Sequence, residues 1–292
     1  MPSVPAFGTA LPAVQQIPTR VRPWEKDVDG PKTLDAARAA EAAGFAWLAC
    51  SDHPAVPVSR AQAMGPTWFD AGSTLAFVAG VTTRIRLLPH VLVLPYRHPL
   101  LVAKQYGTLD FLSGGRVILG VGVGSLQPEF DLLGVPFADR GPRADDALRA
   151  IRVSLAEREP SYQGPYYRFG GMVIDPFAVQ QHMPIWVGGR TRRSLRRGVE
   201  LGDGWMPFGL GVGEMAAMIK SVDIPAGFDL ALSPDRALDP GGSAERVLDT
   251  IGQMEVIGTT VINARIVGQS LDHYLEQLEA LASVAGLAGG SR

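Results

Sequence analysis

The chain has 292 residues, of which 46% are hydrophobic, 34 are Gly and 23 are Pro. A chain this apolar can bury a core, which excludes a disordered protein, and the glycines follow no three-residue repeat, which excludes collagen. The formal net charge of −2 offers no field to attract a polyanion, so we expect no nucleic-acid partner.

Short apolar runs bounded by Gly or Pro alternate with segments of helical spacing along the chain. Eight strands are predicted, over 7–11, 45–50, 85–94, 117–123, 185–187, 205–208, 228–232 and 260–266. Helices are predicted over 33–43, 69–80, 100–112, 143–157, 191–201, 213–221, 243–256 and 271–284. This α/β alternation, in a chain of this length, predicts a (β/α)₈ TIM barrel. A doubly wound open sheet has the same alternation and stays open as the alternative.

Residues 160–183 break the alternation, because they contain three tyrosines and a Gly-Gly pair without helical spacing. We predict an irregular loop insertion with one hairpin, which could serve as a lid or as a subunit contact. No repeat, low-complexity segment or linker divides the chain, so residues 1–292 are predicted to form a single barrel domain.

Three features predict a cytoplasmic protein with no membrane partner. Cys50 is the only cysteine and cannot form an internal disulfide. We see no basic segment followed by an apolar one at the start of the sequence, the pattern that is typical of a secretory signal peptide. No apolar run approaches the roughly 18 residues that span a bilayer.

Candidate catalytic residues follow the second strand, since barrel enzymes carry their functional groups at the C-terminal ends of strands. Asp52 and His53 are adjacent there, so one can face the barrel mouth while the other anchors the loop. An imidazole has an unperturbed pKa of about 6.5 and suits proton transfer. The alternative is an aspartate that caps the turn before Pro54 and a solvated histidine.

Two further strand ends suit a bound molecule. His90 lies within an otherwise apolar strand, either as a satisfied core group or as a ligand contact. Gly120, Gly122 and Gly124 match the dinucleotide fingerprint poorly, but their missing side chains would let a flat ring lie against the backbone.

The turn after the fifth strand suits an anion. Gly188 and Gly189 permit close approach to the free N–H groups of a helix start, while Arg190 and Thr191 add a charge and a hydroxyl. The alternative is an ordinary turn with Thr191 as the helix cap. The arginines that follow, up to Arg197, indicate a solvated helix face or a cradle for an anionic ligand rather than a nucleic-acid site.

The sequence shows none of the common motifs for a catalytic metal site or a catalytic nucleophile. The five histidines and single cysteine show no zinc spacing, and no G-x-S-x-G motif indicates a serine hydrolase. We therefore expect an organic cofactor to carry the chemistry.

Several motifs, in order between about residue 33 and residue 208, resemble the luciferase-like monooxygenase superfamily, and most closely its branch that uses coenzyme F420. They are Ala42-Ala43-Gly44-Phe45, Ser51-Asp52-His53, Leu94-Pro95-Tyr96-Arg97-His98-Pro99, Leu112-Ser113-Gly114-Gly115-Arg116, Gly120-Val121-Gly122-Val123-Gly124, Gly164-Pro165-Tyr166-Tyr167, Pro184-Ile185-Trp186-Val187-Gly188-Gly189 and Leu201-Gly202-Asp203-Gly204-Trp205. The resemblance implies a (β/α)₈ barrel with a flavin-like ring at its mouth.

The resemblance also implies site residues. It gives His53 a role in proton transfer or substrate orientation, with Asp52 holding it, and gives Glu129 a structural role holding an arginine such as Arg140 or Arg143. Family members often carry a cis peptide at the position of His90-Val91. The implied cofactor contacts are His90, Val91, Val93, Val123, Gly124, Val187, Gly188, Gly189, Arg190 and Thr191.

The activity that the resemblance implies is F420-dependent hydride transfer, at C5 of the deazaflavin, to or from a small organic substrate. Ser125 replaces the glutamate that sugar-phosphate dehydrogenases of the superfamily carry, which argues against that activity. Two alternatives stay open, an FMN-dependent two-component monooxygenase and a non-catalytic flavin-binding protein. The family-level expectation for assembly is a homodimer.

Overall fold

The computed structural model describes residues 5–287, so the ends of the predicted 1–292 domain lie outside the described residues. The strands are β1 Ala6–Ala10, β2 Trp47–Cys50, β3 Arg86–Pro89, β4 Leu92–Val93, β5 Leu119–Gly122, β6 Tyr162–Gln163, β7 Arg168–Phe169, β8 Ile185–Gly188, β9 Gly204–Met206, β10 Asp229–Leu232 and β11 Val261–Ala264. The helices are α1 Gly30–Ala42, α2 Val58–Met64, α3 Ala71–Ala79, α4 Pro99–Ser113, α5 Gln127–Leu132, α6 Arg140–Ala156, α7 Arg192–Leu201, α8 Val212–Ile219, α9 Ala244–Val256 and α10 Leu271–Ala285. None of these helices has the length and apolarity needed to cross a bilayer.

Nine parallel strands form one sheet in the order β3-β2-β1-β11-β10-β9-β8-β5-β4. The two ends of this order meet at β5. Leu92 of β4 pairs with Val121 of β5, and a parallel bridge joins Leu87 of β3 to Val117, just before β5. The sheet therefore closes into a barrel of eight positions, with β3 and β4 as two halves of one position, and the predicted (β/α)₈ barrel is confirmed.

The eight predicted strands are all present, but the third is interrupted at His90 and Val91. Two short helices were not predicted: α2 follows β2 and α5 follows β5. Both lie in loops at the barrel mouth, and neither has a residue run long enough to show helical periodicity.

Side-chain caps define where several helices begin. Asp29 accepts a hydrogen bond from the N–H of Lys32 at the start of α1, and Asp70 accepts one from Ser73 at the start of α3. Gly114, with φ +69°, ends α4 in a left-handed conformation that glycine adopts at little cost. Local chemistry thus sets the helix limits that the sequence pattern left imprecise.

The apolar residues form two layers. The larger cluster lies between the strands and the surrounding helices, and the smaller cluster fills the inside of the barrel. In the smaller cluster the rings of Trp47 and Trp186 meet edge to face, with centroids 6.1 Å apart. The barrel interior is therefore a packed floor, and any small molecule must bind above it at the mouth.

The insertion at 160–183 contains the predicted hairpin, formed by antiparallel β6 and β7. Two buried carboxylates fix it to the surrounding helices. Asp146 of α6 accepts hydrogen bonds from the Tyr162 hydroxyl and the Tyr166 N–H, while Asp110 of α4 accepts them from Val179 and Gln180. This anchoring makes the segment part of the barrel wall and argues against the predicted lid; the subunit contact stays a prediction.

Glu41 of α1 holds the turn before β3. Its carboxylate accepts hydrogen bonds from the N–H groups of Thr83, Arg84 and Ile85 at 2.7–3.0 Å. Burial raises the pKa of Glu41, but these hydrogen bonds lower it more, so it falls below the usual 4.5. The stabilisation is present above that value and is lost as the pH falls through the lowered pKa.

We expect Glu41→Gln to be less stable than wild type at neutral pH, with a difference that shrinks on acidification below about pH 4.5. Urea midpoints of both proteins at neutral pH and at about pH 3 test this. Glu276→Gln, on the exposed face of α10, is the control and should give no pH-dependent difference. A constant difference between wild type and Glu41→Gln would contradict the linkage.

Candidate active site

Small inward-facing residues surround the barrel mouth. Because side chains alternate along a strand, positions two residues beyond the inner floor also face the barrel axis. Gly122 and Gly188 occupy two such positions, beyond Gly120 and Trp186. Neither glycine has a side chain, so the space above the floor beside them is open to a neighbouring side chain.

Val91 fills part of this space. The peptide bond between His90 and Val91 is cis, as the resemblance implies, and the strand is interrupted there. A Cβ placed on Gly122 would lie 2.7 Å from Cγ2 of Val91, and one on Gly188 would lie 2.6 Å from its Cγ1. The glycines therefore make room for Val91, which forms the surface of the space, rather than for a ring laid directly on their own backbone.

We expect Gly122→Ala to displace Val91 and to weaken binding of the coenzyme that the resemblance implies by about tenfold or more, because overpacking costs about 1–3 kcal/mol where the neighbour cannot yield. Fluorescence titration with coenzyme F420 and with FMN measures the effect. Gly252→Ala in α9 is the control, since its Cβ would meet no described atom within 4 Å. Equal dissociation constants for Gly122→Ala and wild type would show that Val91 does not shape the site.

His53 lies at the mouth beside Glu129. Its Nδ1 is 3.0 Å from each carboxylate oxygen of Glu129, which is itself 2% exposed. The hydroxyl of Tyr96 donates to Oε2 of the same carboxylate at 2.9 Å. Trp68 packs edge-on against the imidazole, with ring centroids 4.4 Å apart. The elements after β2, β4 and β5 thus converge on one histidine.

This arrangement selects one tautomer of His53. An ionised carboxylate only accepts hydrogen bonds, so Nδ1 carries the proton and Nε2 keeps its lone pair. Nε2 has no hydrogen-bond partner within residues 5–287. Burial raises the pKa of Tyr96, and so does its hydrogen bond to Glu129, so its hydroxyl stays a donor. The imidazole can therefore take up or release a proton at Nε2.

Asp52 has a different partner from the one the sequence predicted. Its carboxylate makes a bidentate pair with Arg97, with both oxygens at 2.8 Å, and accepts the N–H of Val93 at 3.1 Å. The prediction that Asp52 holds His53 is wrong; Glu129 does so. The two side chains point in different directions at the strand end, as predicted: His53 lies at the mouth, and Asp52 anchors the chain after β4.

The predicted structural role of Glu129 is also wrong. Arg140 donates to the carbonyl of Gly124 at 3.2 Å and lies over the ring of Phe137, while Arg143 pairs with Asp139. Glu129 contacts neither arginine, because its oxygens are occupied at the mouth. The sequence offered no periodic pattern that joins Glu129 to His53, 76 residues away.

His90 faces the mouth between β3 and Val91. Burial lowers its pKa to about 4, and the charge of Arg20 contributes to the shift. His90 is therefore neutral at neutral pH. Its side chain can accept or donate one hydrogen bond to a bound molecule but adds no charge to the site.

Among the other predicted contacts, Val187 belongs to the outer apolar cluster and Val123 packs against that cluster. Only their backbone atoms can face a ligand at the mouth. Val93 lies beneath Gly124, where a Cβ would come within 2.8 Å of its Cγ1. These valines support the site from behind, whereas Val91 and the glycines form its surface.

The turn at 188–191 leads into α7. Gly189 has φ +126°, a conformation that favours glycine. The hydroxyl of Thr191 accepts the N–H of Ser194, and the Thr191 N–H donates to Oγ of Ser194, so Thr191 caps the helix as in the alternative interpretation. An anion here would meet Arg190 and the free N–H groups of the first helical turn.

The arginine run after Gly189 divides by exposure. Arg197 is buried and paired with Asp145 of α6, whereas Arg192, Arg193 and Arg196 are exposed on α7. The run is therefore a solvated helix face with one structural pair. Among residues 5–287 no group of His, Cys, Asp and Glu could hold a metal ion.

Comparisons with known proteins match this architecture. A model of the luciferase-like monooxygenase family matches residues 7–244. An uncharacterized protein of Mycobacterium tuberculosis is 32% identical over 265 residues, covering 85% of this chain and 92% of its own. A 4-hydroxyprotoasukamycin monooxygenase of Streptomyces nodosus is 30% identical over 209 residues, covering 69% of this chain and 52% of its own. A 5,10-methylenetetrahydromethanopterin reductase of Methanopyrus kandleri is 32% identical over 146 residues, covering 44% of this chain and 41% of its own.

Two solved structures share the fold. A monooxygenase from Streptomyces bottropensis superposes with a TM-score of 0.74 and 19% identity, covering 95% of this chain and 98% of its own. The F420-dependent tetrahydromethanopterin reductase from M. kandleri superposes with a TM-score of 0.71 and 17% identity, covering 96% of this chain and 98% of its own. At such identities the likeness establishes the barrel alone.

Proposed function

The chain belongs to the luciferase-like monooxygenase family, and from this membership and the geometry of the mouth we propose that it is an oxidoreductase that uses coenzyme F420 on a small organic substrate. The bound deazaflavin would supply the hydride chemistry, at C5, that the protein's own side chains lack. The observation that carries the proposal is the packing of Val91 against Gly122 and Gly188 at the mouth, together with the His53–Glu129 pair at the same end of the barrel.

The residues present fit a planar coenzyme with an anionic tail. Val91 offers an apolar surface to one face of a ring, since Gly122 and Gly188 leave its methyl groups room at the mouth. Arg190 and the start of α7 offer charge and N–H groups to a phosphate. Two similar proteins of M. kandleri support this choice of coenzyme: a relative named 5,10-methylenetetrahydromethanopterin reductase, and a structural neighbour whose name states that it depends on F420.

The protein's side chains would hold the substrate and move one proton. Nε2 of His53 would give or take that proton at the substrate, and Glu129 would keep the imidazole oriented through Nδ1. Tyr96 fixes Glu129, and Asp52 with Arg97 fixes the chain that carries Val91 and Val93. Trp68 shields the imidazole from water on one side.

Titration of the purified protein with F420 and with FMN, each oxidised and reduced, tests the proposal. We expect F420 to bind with micromolar or tighter affinity and FMN to bind at least tenfold more weakly, where tenfold equals about 1.4 kcal/mol. Tight FMN binding without F420 binding would overturn the choice of coenzyme. Gly252→Ala serves as the folded control for site variants.

A second candidate is a monooxygenase that uses reduced FMN and oxygen. The relative named 4-hydroxyprotoasukamycin monooxygenase, which matches 69% of this chain, favours it. Oxygen consumption in the presence of a flavin reductase and FMN, above the rate without this protein, would support the second candidate.

A further inference from the structure

Asn263 of β11 is the only asparagine in the chain, and its side chain faces the inside of the barrel. Val261 belongs to the inner apolar cluster, whereas Ile262 and Ala264 belong to the outer one. Because side chains alternate along a strand, Asn263 faces the barrel axis one step nearer the mouth than Val261. A hydrogen-bonding side chain therefore stands directly above the apolar floor.

The amide of Asn263 has no hydrogen-bond partner within residues 5–287, although the residue is only 9% exposed. By contrast, the buried amide of Gln277 donates to Asp239 at 2.7 Å and accepts the N–H of Gly241 at 2.8 Å. A primary amide can donate two hydrogen bonds and accept two. Since buried polar side chains are nearly always paired, the unpaired amide of Asn263 indicates a partner outside the polypeptide.

A second unpaired group lies next to Asn263. The sheet register pairs Asn263 with Gly8 of β1, and Gly8 in turn pairs with Trp47 of β2. A Cβ on Gly8 would overlap Cε2 of Trp47, the ring atom that carries Nε1, so the indole lies beside this glycine. Nε1 of Trp47 is enclosed and meets no acceptor in the described part of the chain. Two unpaired polar side chains thus flank one glycine of the inner wall.

The amide of Asn263 is reached from the mouth. Its atoms keep some contact with solvent, whereas Nε1 of Trp47 is fully enclosed. The neighbouring inward positions on β1 and β2 are Gly8, Ala10 and Ala49, which add neither charge nor a hydrogen-bonding side chain. The amide is therefore the hydrogen-bonding group that this wall offers to a small molecule entering above the floor.

Asn263 stands across the barrel from Val91. Counted around the sheet from β1, β5 holds the fourth of eight positions and β11 the eighth, so the two strands lie on opposite walls. Val91 packs against Gly122 of β5 and Gly188 of the next strand, β8. A molecule seated against Val91 therefore has the wall that carries Asn263 on its other side.

We propose that Asn263 hydrogen-bonds an uncharged oxygen, a carbonyl or a hydroxyl, of the organic substrate and so selects which substrates the site accepts. This inference rests on the proposed function, because it assigns the Val91 side of the mouth to the coenzyme. A carbonyl accepts from Nδ2, and a hydroxyl can also donate to Oδ1. Because the amide is otherwise unpaired, the site should discriminate against an apolar analogue of the same shape.

Nuclear magnetic resonance can observe this side chain alone. Since the chain has one asparagine, labelling with ¹⁵N-asparagine gives a single side-chain NH₂ signal pair. Coenzyme-loaded protein is titrated with acetophenone, with 1-phenylethanol and with ethylbenzene, which has a similar shape but no oxygen. Oxidised F420 accompanies the ketone and reduced F420 the alcohol, so that no hydride is transferred. The same titrations are made with Asn263→Leu, followed by the signals of the probes.

We expect acetophenone or 1-phenylethanol to bind wild type in the millimolar range or tighter and to shift the NH₂ pair of Asn263. Asn263→Leu, of about the same size, should bind that probe at least about tenfold more weakly, because the hydrogen bond is lost. Ethylbenzene should bind the variant no more weakly than wild type. The coenzyme dissociation constant should stay within about twofold of wild type, since the coenzyme lies on the other wall.

The urea midpoint of the free protein separates this role from a structural one. An amide that only a substrate pairs adds nothing to the free protein, so Asn263→Leu should have a midpoint equal to or above that of wild type. Gln277→Met is the matched control and should lower the midpoint, because it leaves Asp239 and the N–H of Gly241 unpaired.

Four results would overturn the inference: neither oxygen-bearing probe binds wild type, the bound probe leaves the NH₂ pair unshifted, Asn263→Leu binds it as wild type does, or Asn263→Leu lowers the midpoint as much as Gln277→Met. The last would make Asn263 a structural residue. If neither F420 nor FMN binds wild type, the proposed function fails instead. The same titrations on coenzyme-free protein then still decide whether Asn263 binds an uncharged oxygen.

Discussion

Replacing His53 by alanine is expected to lower kcat by a factor of about 10²–10⁴ while leaving the coenzyme dissociation constant within about twofold of wild type. The imidazole has its free Nε2 at the mouth, whereas the surface offered to the coenzyme is formed by Val91 and the glycines. Steady-state turnover in the coenzyme-dependent assay and direct coenzyme titration separate the two effects.

Two further variants assign the roles within the pair. Added imidazole should restore part of the activity of His53→Ala but none to Glu129→Gln, since Glu129 is a positioning residue. An amide at 129 can donate to Nδ1, so ¹⁵N NMR should show the proton of His53 at Nε2 instead of Nδ1. His182→Ala, at the opposite end of the barrel beside Asp203, is the control. Full activity in His53→Ala would remove the proton-transfer role.

Replacing Asp52 by alanine is expected to destabilise the protein by about 3–5 kcal/mol, because it leaves Arg97 without its partner in a largely buried place. Asp52 is 5% exposed, and it also accepts the N–H of Val93, which follows the interrupted strand. Urea denaturation followed by circular dichroism gives the free energy of unfolding. The proton chemistry at His53 should be retained by the variant that remains folded.

The exposed pair Arg38–Asp35, with both side chains 54% exposed, supplies the matched control. Asp35→Ala should cost less than about 1 kcal/mol, since surface ion pairs contribute little. A double-mutant cycle of Asp52→Ala with Arg97→Ala measures the coupling between the two partners. A cost for Asp52→Ala equal to that for Asp35→Ala would show that the pair does not anchor the mouth.

The strand and helix order was predictable because burial in a barrel leaves a repeated local pattern. The run Leu119–Gly122 is apolar on both faces since its outer face meets helices and its inner face meets the barrel floor. The interruption at His90 and Val91 was not predictable from apolarity, because the run from 85 to 94 is apolar apart from Arg86 and His90 and continues apolar beyond His90. The short helices α2 and α5 were not predicted, because 7 and 6 residues are too few to show a helical periodicity.

The sequence predicted which residues belong to the candidate site better than it predicted which side chains contact each other there. His53 and Asp52 were found because they follow a strand, Gly122 because alternating glycines omit side chains, and Gly188 because it stands at the turn into a helix. The resemblance wrongly implied that Asp52 holds His53, whereas the alternation of side chains at the strand end correctly directs the two residues apart. Tyr96 stood within a family motif without an assigned role, and no sequence pattern pointed to Trp68.

By itself the sequence determined the α/β alternation and the strand ends that carry the site, because those depend on apolar periodicity and turn residues within short segments. That the sheet closes into a barrel, rather than staying open, is shown by the pairing of β4 and the bridge from β3 with the chain at β5. Only the tertiary structure decided that Glu129 holds His53 and that Arg97 holds Asp52. These partners lie 76 and 45 residues apart in the chain, respectively. Closure of the sheet brings distant strand ends to one rim, and no local pattern records which side chains then meet.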